Sequence, residues 1–290
     1  MNQMATIPAE ATSVSNSVTP VTQPATVAVR EPWLKPGQLR KILLPLLVLA
    51  VILGGWQFVT ETGRVPPIIL ASPTAIILSF GTAGPEIFAN AGWTLTEALT
   101  GFVAGNLAGL AVAILFIHSD LARRTIYPIA LGAQAIPFVA IVPVLILWLG
   151  NGMEPKIFIT SFLAFFPMLI NSLRGLRSAD SEVNELLYTL SATPLQRLTM
   201  VRLPASIPFV FAALKLSACA CVVAAIVAEW LAADRGLGHL IVLYGTMYRI
   251  PDIWASALVG TAMSLCVYGA VVLAERLATP WRRGLPSTTS

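Results

Sequence analysis

Four residues capable of chemistry interrupt long runs of Ala, Val, Ile, Leu and Phe: Glu97, Gln134, Lys215 and Glu229. An ionisable group in hydrocarbon is expensive and is kept where it is paired or where it works. Glu97 and Glu229 fall near the ends of their apolar runs, where both are expected to reach water. Lys215 lies deeper; its stem can snorkel toward an aqueous boundary, so anchoring is the favoured reading. Glu229 follows Lys215 by fourteen residues, nearly one helical face, and that face lines either a subunit axis or a pathway. Gln134 opens Gln134-Ala-Ile-Pro137-Phe-Val-Ala-Ile-Val-Pro143. Each proline removes an amide donor and disturbs the carbonyl one turn earlier, and irregular backbone survives in lipid only where protein or a water-filled cavity covers it. Gln134, Pro137, Pro143 and Glu229 are therefore the candidates for bordering a pathway through the membrane, with a packing kink as the equal alternative at the prolines.

A second polar group occupies residues 177–204, between two apolar runs. Val183, Leu186, Leu187 and Leu190 fall at i, i+3, i+4 and i+7, one face of a helix. Asp180 or Ser181 can cap its start, with Glu182 and Glu185 in the favourable first turn. Ser191-Ala192 breaks the pattern. Thr193 is a good N-cap, Pro194 suits the first position of a second helix, and Leu195, Leu198 and Val201 carry an apolar stripe to an expected stop at Pro204. So structured a polar loop in so apolar a chain is expected to dock a partner.

Nothing in the chain assembles into a catalytic centre. There is no Gly-x-x-x-x-Gly-Lys-Ser/Thr phosphate loop, no His-Glu-x-x-His, and no nucleophile with a base and an orienting acid. Cys219, Cys221 and Cys266 lie in apolar runs without redox or zinc spacing and read as small hydrophobes. His118 and His239 show no metal-site pattern. If nucleotide energy drives the protein, the nucleotide binds a different polypeptide.

The elements that position these groups follow from composition. The 290 residues are 56% hydrophobic and 11% charged, against about 25% charged in soluble domains, so the chain belongs in a bilayer. Six stretches can cross a hydrocarbon core of roughly 20 residues: about 41–60, 93–117, 126–149, 156–174, 206–231 and 254–278, within an all-α membrane domain spanning 33–285. Residues 61–91, broken by Pro66-Pro67, Pro73, Gly81, Gly84 and Pro85, are expected to form an outside loop with a surface helix begun at Ser72-Pro73. Residues 1–32, rich in Thr, Ser, Pro, Ala and Val, read as a disordered tail and not a signal peptide.

With both termini placed in the cytoplasm, thirteen of the 18 Lys and Arg residues lie inside and four outside, with Lys215 in a span. The positive-inside rule favours that orientation and makes 177–204 cytoplasmic. The excess of four positive charges has no basic run or interleaved aromatics, so nucleic acid is not an expected partner. Span two carries Gly101-x-x-x-Gly105-x-x-x-Gly109, a ridge for close helix approach, more simply within one subunit than between two.

Glu185-x-x-x-x-x-Ser191-Ala192 followed by Val201-x-Leu203-Pro204 resembles the loop motif of ABC importer membrane subunits: Glu-Ala-Ala, three residues, Gly, nine residues, Ile-x-Leu-Pro. Leu186 and Leu187 stand where that motif has alanines, and Ser191 where it has glycine. Ile136 to Gly150, Phe165 to Arg177, Val227-Ala-Glu-Trp and Gly236-Leu-Gly-His-Leu-Ile241 are similar to the nitrate/sulfonate/taurine/bicarbonate-type permeases, a resemblance covering roughly 40–280. It implies six spans of the type I importer kind and a coupling helix between spans four and five. The coupling role goes by resemblance to Glu182, Glu185, Ser191, Ala192, Thr193 and Pro194, with Leu203 and Pro204 seating the loop under span five. The implied assembly is a homodimer of this chain, two ATPase subunits holding ATP and Mg, and a periplasmic or lipid-anchored solute-binding protein that meets the outer loops 61–91 and 232–253. No cofactor is expected in this chain. The implied location is the bacterial inner membrane and the implied cargo a small anionic or polar solute, with a pyrimidine thiamine precursor or riboflavin as the alternative. An ion-gradient-driven secondary transporter is the rival from another class, disfavoured by the scarcity of embedded carboxylates and the lack of an inverted repeat.

Overall fold

Ser72 opens the longest element. Its hydroxyl accepts from the amide of Ala75, and Pro73 takes the first helical position, where its missing donor costs nothing. The helix that follows, α2, runs unbroken from Pro73 to His118 over 46 residues. At 1.5 Å per residue it extends about 69 Å, more than twice the roughly 30 Å hydrocarbon thickness. The expected loop with a separate surface helix is thus corrected: the surface helix and span two are one rod. Gly81, Gly84 and Pro85 fail to break it because tertiary packing overrides propensity. Ile76, Ala83, Ile87 and Ala91 are buried against Leu237, Leu240, Tyr244, Ala255 and Val259.

The computed structural model describes residues 36–231 and 233–280; the proposed tail at 1–32 lies outside them. The remaining helices are α1 (Pro36–Glu61), α3 (Asp120–Ala133), α4 (Phe138–Leu149), α5 (Glu154–Arg177), α6 (Ser181–Thr189), α7 (Pro194–Arg197), α8 (Leu203–Leu231), α9 (Leu237–Thr246) and α10 (Ile250–Ala278). Five helical stretches are long and apolar enough to cross a membrane, and the pair α3–α4, bent by 98° at residues 134–137, makes a sixth, broken span. From residue 51 onward the helices form one compact unit; α1 up to Ala50 falls in another.

The core of that unit is α2, α5 and α8. A Cβ on Gly101 would stand 1.6 Å from Thr160 Oγ1, one on Gly105 2.2 Å from the Ser161 carbonyl, and one on Gly109 2.6 Å from the Phe165 carbonyl. The glycine ridge therefore packs within one subunit, backbone against backbone. A Cβ on Gly175 of α5 would likewise meet α8, 2.9 Å from Ser206 Cα. Within the unit, Trp56 donates from Nε1 to the Ala71 carbonyl at 3.0 Å, and its ring centroid lies 5.2 Å from that of Trp254.

Two expectations at element ends are also corrected. Residues 232–253 are no mere loop: α9 inserts Leu237, Leu240 and Tyr244 into the core. Pro204 does not stop a helix. A π turn at Leu198–Arg202 leads directly into α8, and such a wide turn accommodates a ring that lacks an amide.

Candidate functional site

The loop between α5 and α8 is held by local hydrogen bonds that its sequence specifies. Asp180 accepts from the amide of Glu182 at 3.0 Å, and so is the cap of α6. At the far end the Ala192 amide reaches the Leu187 carbonyl at 2.9 Å and the Ser191 amide the Tyr188 carbonyl at 3.0 Å. With Ser191 at φ +57°, this is a Schellman termination, whose left-handed position glycine fits best. Thr193 and Gln196 form a reciprocal capping box: Gln196 N donates to Thr193 Oγ1 at 3.3 Å and Thr193 N to Gln196 Oε1 at 2.8 Å. Pro194 occupies the first helical position. Arg197 lies over the Tyr188 ring at 5.7 Å, joining α7 back to α6.

Among the described side chains of this loop, only those at its base are buried. Leu198 packs with Leu203 against Ala113, Phe116, Leu169, Leu173 and Leu176, which fixes the loop to α2 and α5. Glu182, Glu185, Ser191, Thr193, Pro194 and Pro204 are exposed, and Ala192 is half-buried. Leu186, Tyr188, Leu190, Leu195 and Met200 are each at least 59% exposed. Large apolar side chains raised on so rigid a frame form a contact surface.

The pathway candidates fall into two groups that the structure does not bring together. Gln134 is the C-cap of α3 at the break, and its side chain, with Pro137 and Pro143, is exposed along the bent span. Glu229 is fully buried, as is Glu97, so the expectation that both reach water is corrected. Glu229 Oε1 accepts from Thr94 Oγ1 at 2.8 Å and Oε2 from the Gly238 amide at 2.6 Å. Thr94 Oγ1 in turn accepts from the Leu237 amide at 2.9 Å, and Asn90 Oδ1 from the Gly236 amide at 2.8 Å. Gly236 needs its φ of +102°, and a Cβ there would lie 2.2 Å from the Glu229 carboxyl. Together these residues clamp the α8–α9 turn onto α2. Sequence reasoning missed Asn90 and Thr94; the signal was the Gly236-Leu-Gly238 turn following a membrane carboxylate, which calls for acceptors to meet its amides.

The other embedded charges are paired. Lys156 Nζ is 3.4 Å from Glu97 Oε1, with both side chains buried, and Lys215 Nζ is 2.5 Å from Glu275 Oε2. Lys215 is thus held by a partner on α10 and does not rely on snorkelling alone. Among the described residues no group of three or more His, Cys, Asp or Glu is placed to hold a metal.

Five apolar spans and a bent sixth, with a clamped turn and a capped helical loop between them, define a multi-pass membrane protein. The sequence profile of the binding-protein-dependent transport system inner membrane components matches residues 105–283, and the chain belongs to that family: it is a permease subunit of the ABC importer type. A probable ABC transporter permease of Haemophilus influenzae is 32% identical over 231 residues, covering 80% of this chain and 94% of its own. A formylaminopyrimidine transport permease of Halalkalibacterium halodurans is 28% identical, covering 75% and 87%. Among solved structures, an amino acid ABC transporter with histidines aligns at a TM-score of 0.56 and 20% identity over 69% of this chain and 97% of that one. That likeness shows the fold, the helical architecture of type I importers.

Proposed function

We propose that this permease takes its driving force through the loop at 177–204, as the membrane half of an importer moving a small anionic or polar solute. The observation that carries this is the exposed apolar surface of α6 and α7, set on a frame with a capped start, a Schellman turn and a capping box. Glu182, Glu185, Ser191, Ala192, Thr193 and Pro194 form the ATPase contact, and Leu203 and Pro204 pass its movement into α8. Two copies of the chain, two ATPase subunits and a solute-binding protein make the assembly, with ATP and Mg bound by the ATPases. Both termini face the cytoplasm, as the thirteen-to-four distribution of positive charge supports. Gln134, Pro137 and Pro143 border the pathway: a polar side chain at a broken span is tolerated where water or solute meets it.

The test is Ala192→Asp in the assembled transporter. A charge at this half-buried position should leave membrane insertion intact while lowering uptake at least tenfold relative to ATP hydrolysis. Unchanged uptake would remove the loop from the coupling path.

For the solute, the stretches Ile136 to Gly150 and Phe165 to Arg177 support the nitrate, sulfonate, taurine and bicarbonate class. The relative named for formylaminopyrimidine favours a second reading, a pyrimidine thiamine precursor, with riboflavin beside it. Calorimetry of the partner binding protein against these solutes decides between them; binding of a pyrimidine or riboflavin alone would overturn the anionic reading.

A further inference from the structure

At the loop end of the unit, a cavity of about 220 Å³ opens where α2, α3, α5 and the π turn meet. Its apolar lining includes Phe116 and Leu176, both almost fully buried. Arg177 and Arg202 line it as well, with Asp120. The charges do not balance. Asp120 is already engaged on its own helix, accepting from Arg123 Nε at 3.0 Å and from Arg124 Nε at 2.7 Å. None of the ion pairs among the described residues involves Arg177, Arg197 or Arg202. Burial, and then the charges of Arg197 and Arg177, hold the Arg202 guanidinium below its usual pKa. Arg197 is outside the lining, its guanidinium over the Tyr188 ring, but it adds positive charge nearby and a buried Nε without a hydrogen-bond partner. Arg177 is exposed and Arg202 half-buried, so their like charges meet at the open rim of the cavity, where an anion would complete the set.

We propose that this cavity binds a phosphate group, held between the guanidiniums of Arg177 and Arg202. The donor chemistry points there: a planar guanidinium offers paired N–H donors that match phosphate oxygens. The location fits two sources of that chemistry. Basic pockets between spans at the headgroup level bind anionic lipids, and inorganic phosphate carries the same oxygens. Neither source depends on the orientation or the cargo proposed above. Because Arg202 belongs to the π turn beneath the coupling loop, occupancy would tie α5 to that turn.

The full-length permease is placed in nanodiscs of pure phosphatidylcholine in phosphate-free buffer, and its Tm is followed as phosphatidylglycerol or, separately, inorganic phosphate is added. A saturable rise in Tm is expected. A rise with phosphatidylglycerol alone identifies a lipid headgroup, and a rise with inorganic phosphate alone or as well identifies a site open to the free ion. Arg202→Gln should lose at least half of the rise and should match or exceed wild type in the neutral, phosphate-free discs, because it relieves repulsion there. Arg202→Lys should keep part of the rise, and Arg64→Gln, exposed at the other end of the unit, all of it. A wild-type Tm that neither addition moves, or an equal rise in Arg202→Gln, would overturn the proposal. So would stabilisation by the partner ATPase alone, since the missing anion would then be a protein carboxylate.

Discussion

Gly105→Ala tests how α2 and α5 are held together. Its added Cβ would stand 2.2 Å from the Ser161 carbonyl oxygen and 2.8 Å from Ala164 Cβ. To carry the first contact from 2.2 to 3.0 Å, the two helices must separate by 0.8 Å, since the obstacle is backbone and cannot rotate away. A gap of that size forfeits about a quarter to a half of each neighbouring van der Waals well. The loss spreads to Gly101 and Gly109, which touch the same face of α5. The cost should lie near the top of the overpacking range, about 2–3 kcal/mol, or a fall in Tm of roughly 3–5 °C for a protein of this size. Gly81→Ala supplies the control on the same helix. Nothing lies within 4 Å of its Cβ position, so better helix propensity should stabilise by up to about 1 kcal/mol. Both variants are melted in detergent with a fluorescent tag on size exclusion. If Gly105→Ala melts with or above Gly81→Ala, the close backbone approach is not what joins these spans.

Ser191→Gly should firm the turn before the capping box by about 1 kcal/mol, because a left-handed residue with a side chain carries a penalty of that order. Slower amide exchange across residues 190–192 is the expected sign, and exchange as fast as wild type would remove Ser191 as a source of strain. Glu229→Ala should destabilise by about 2–3 kcal/mol, since a buried hydroxyl and a buried amide lose their acceptor. Glu229→Gln, which keeps one oxygen, should cost less. A Glu229→Ala protein that melts like wild type but no longer transports would instead place this carboxylate on the solute path.

The loop was the most legible part of the chain because its signals are local. A Thr–Gln pair three apart, a proline after the cap and an acid at the helix start each act on amides within one turn, so sequence alone positions them. The spans were legible by length and composition. What sequence hid was non-local. Gly81, Gly84 and Pro85 read as breakers, yet α2 passes through them because α9 and α10 pack along it. Glu97 and Lys156 stand 59 positions apart and Lys215 and Glu275 60 positions apart; no periodicity links such pairs. Glu229 likewise showed its acidity but not Thr94, 135 residues away.

Those partners bear on how the protein is powered. A transporter that draws on an ion gradient needs embedded groups that exchange a proton or a cation during the cycle. Here Glu97 is paired with Lys156, Lys215 with Glu275, and Glu229 is committed to a hydroxyl and a backbone amide. Releasing Glu97 or Glu229 would strand a buried charge or a buried donor, at several times the energy of an exposed pair, while Lys215 and Glu275 form a half-buried pair. These groups are therefore spent on holding helices together. Apart from Glu97 Oε2, which is buried without a hydrogen-bond partner, the polar features left uncommitted include Gln134 at the break in the bent span and the loop with its arginine-lined cavity. Under the proposed function, a partner gripping this loop would act through Leu203 and Pro204, the first two residues of α8.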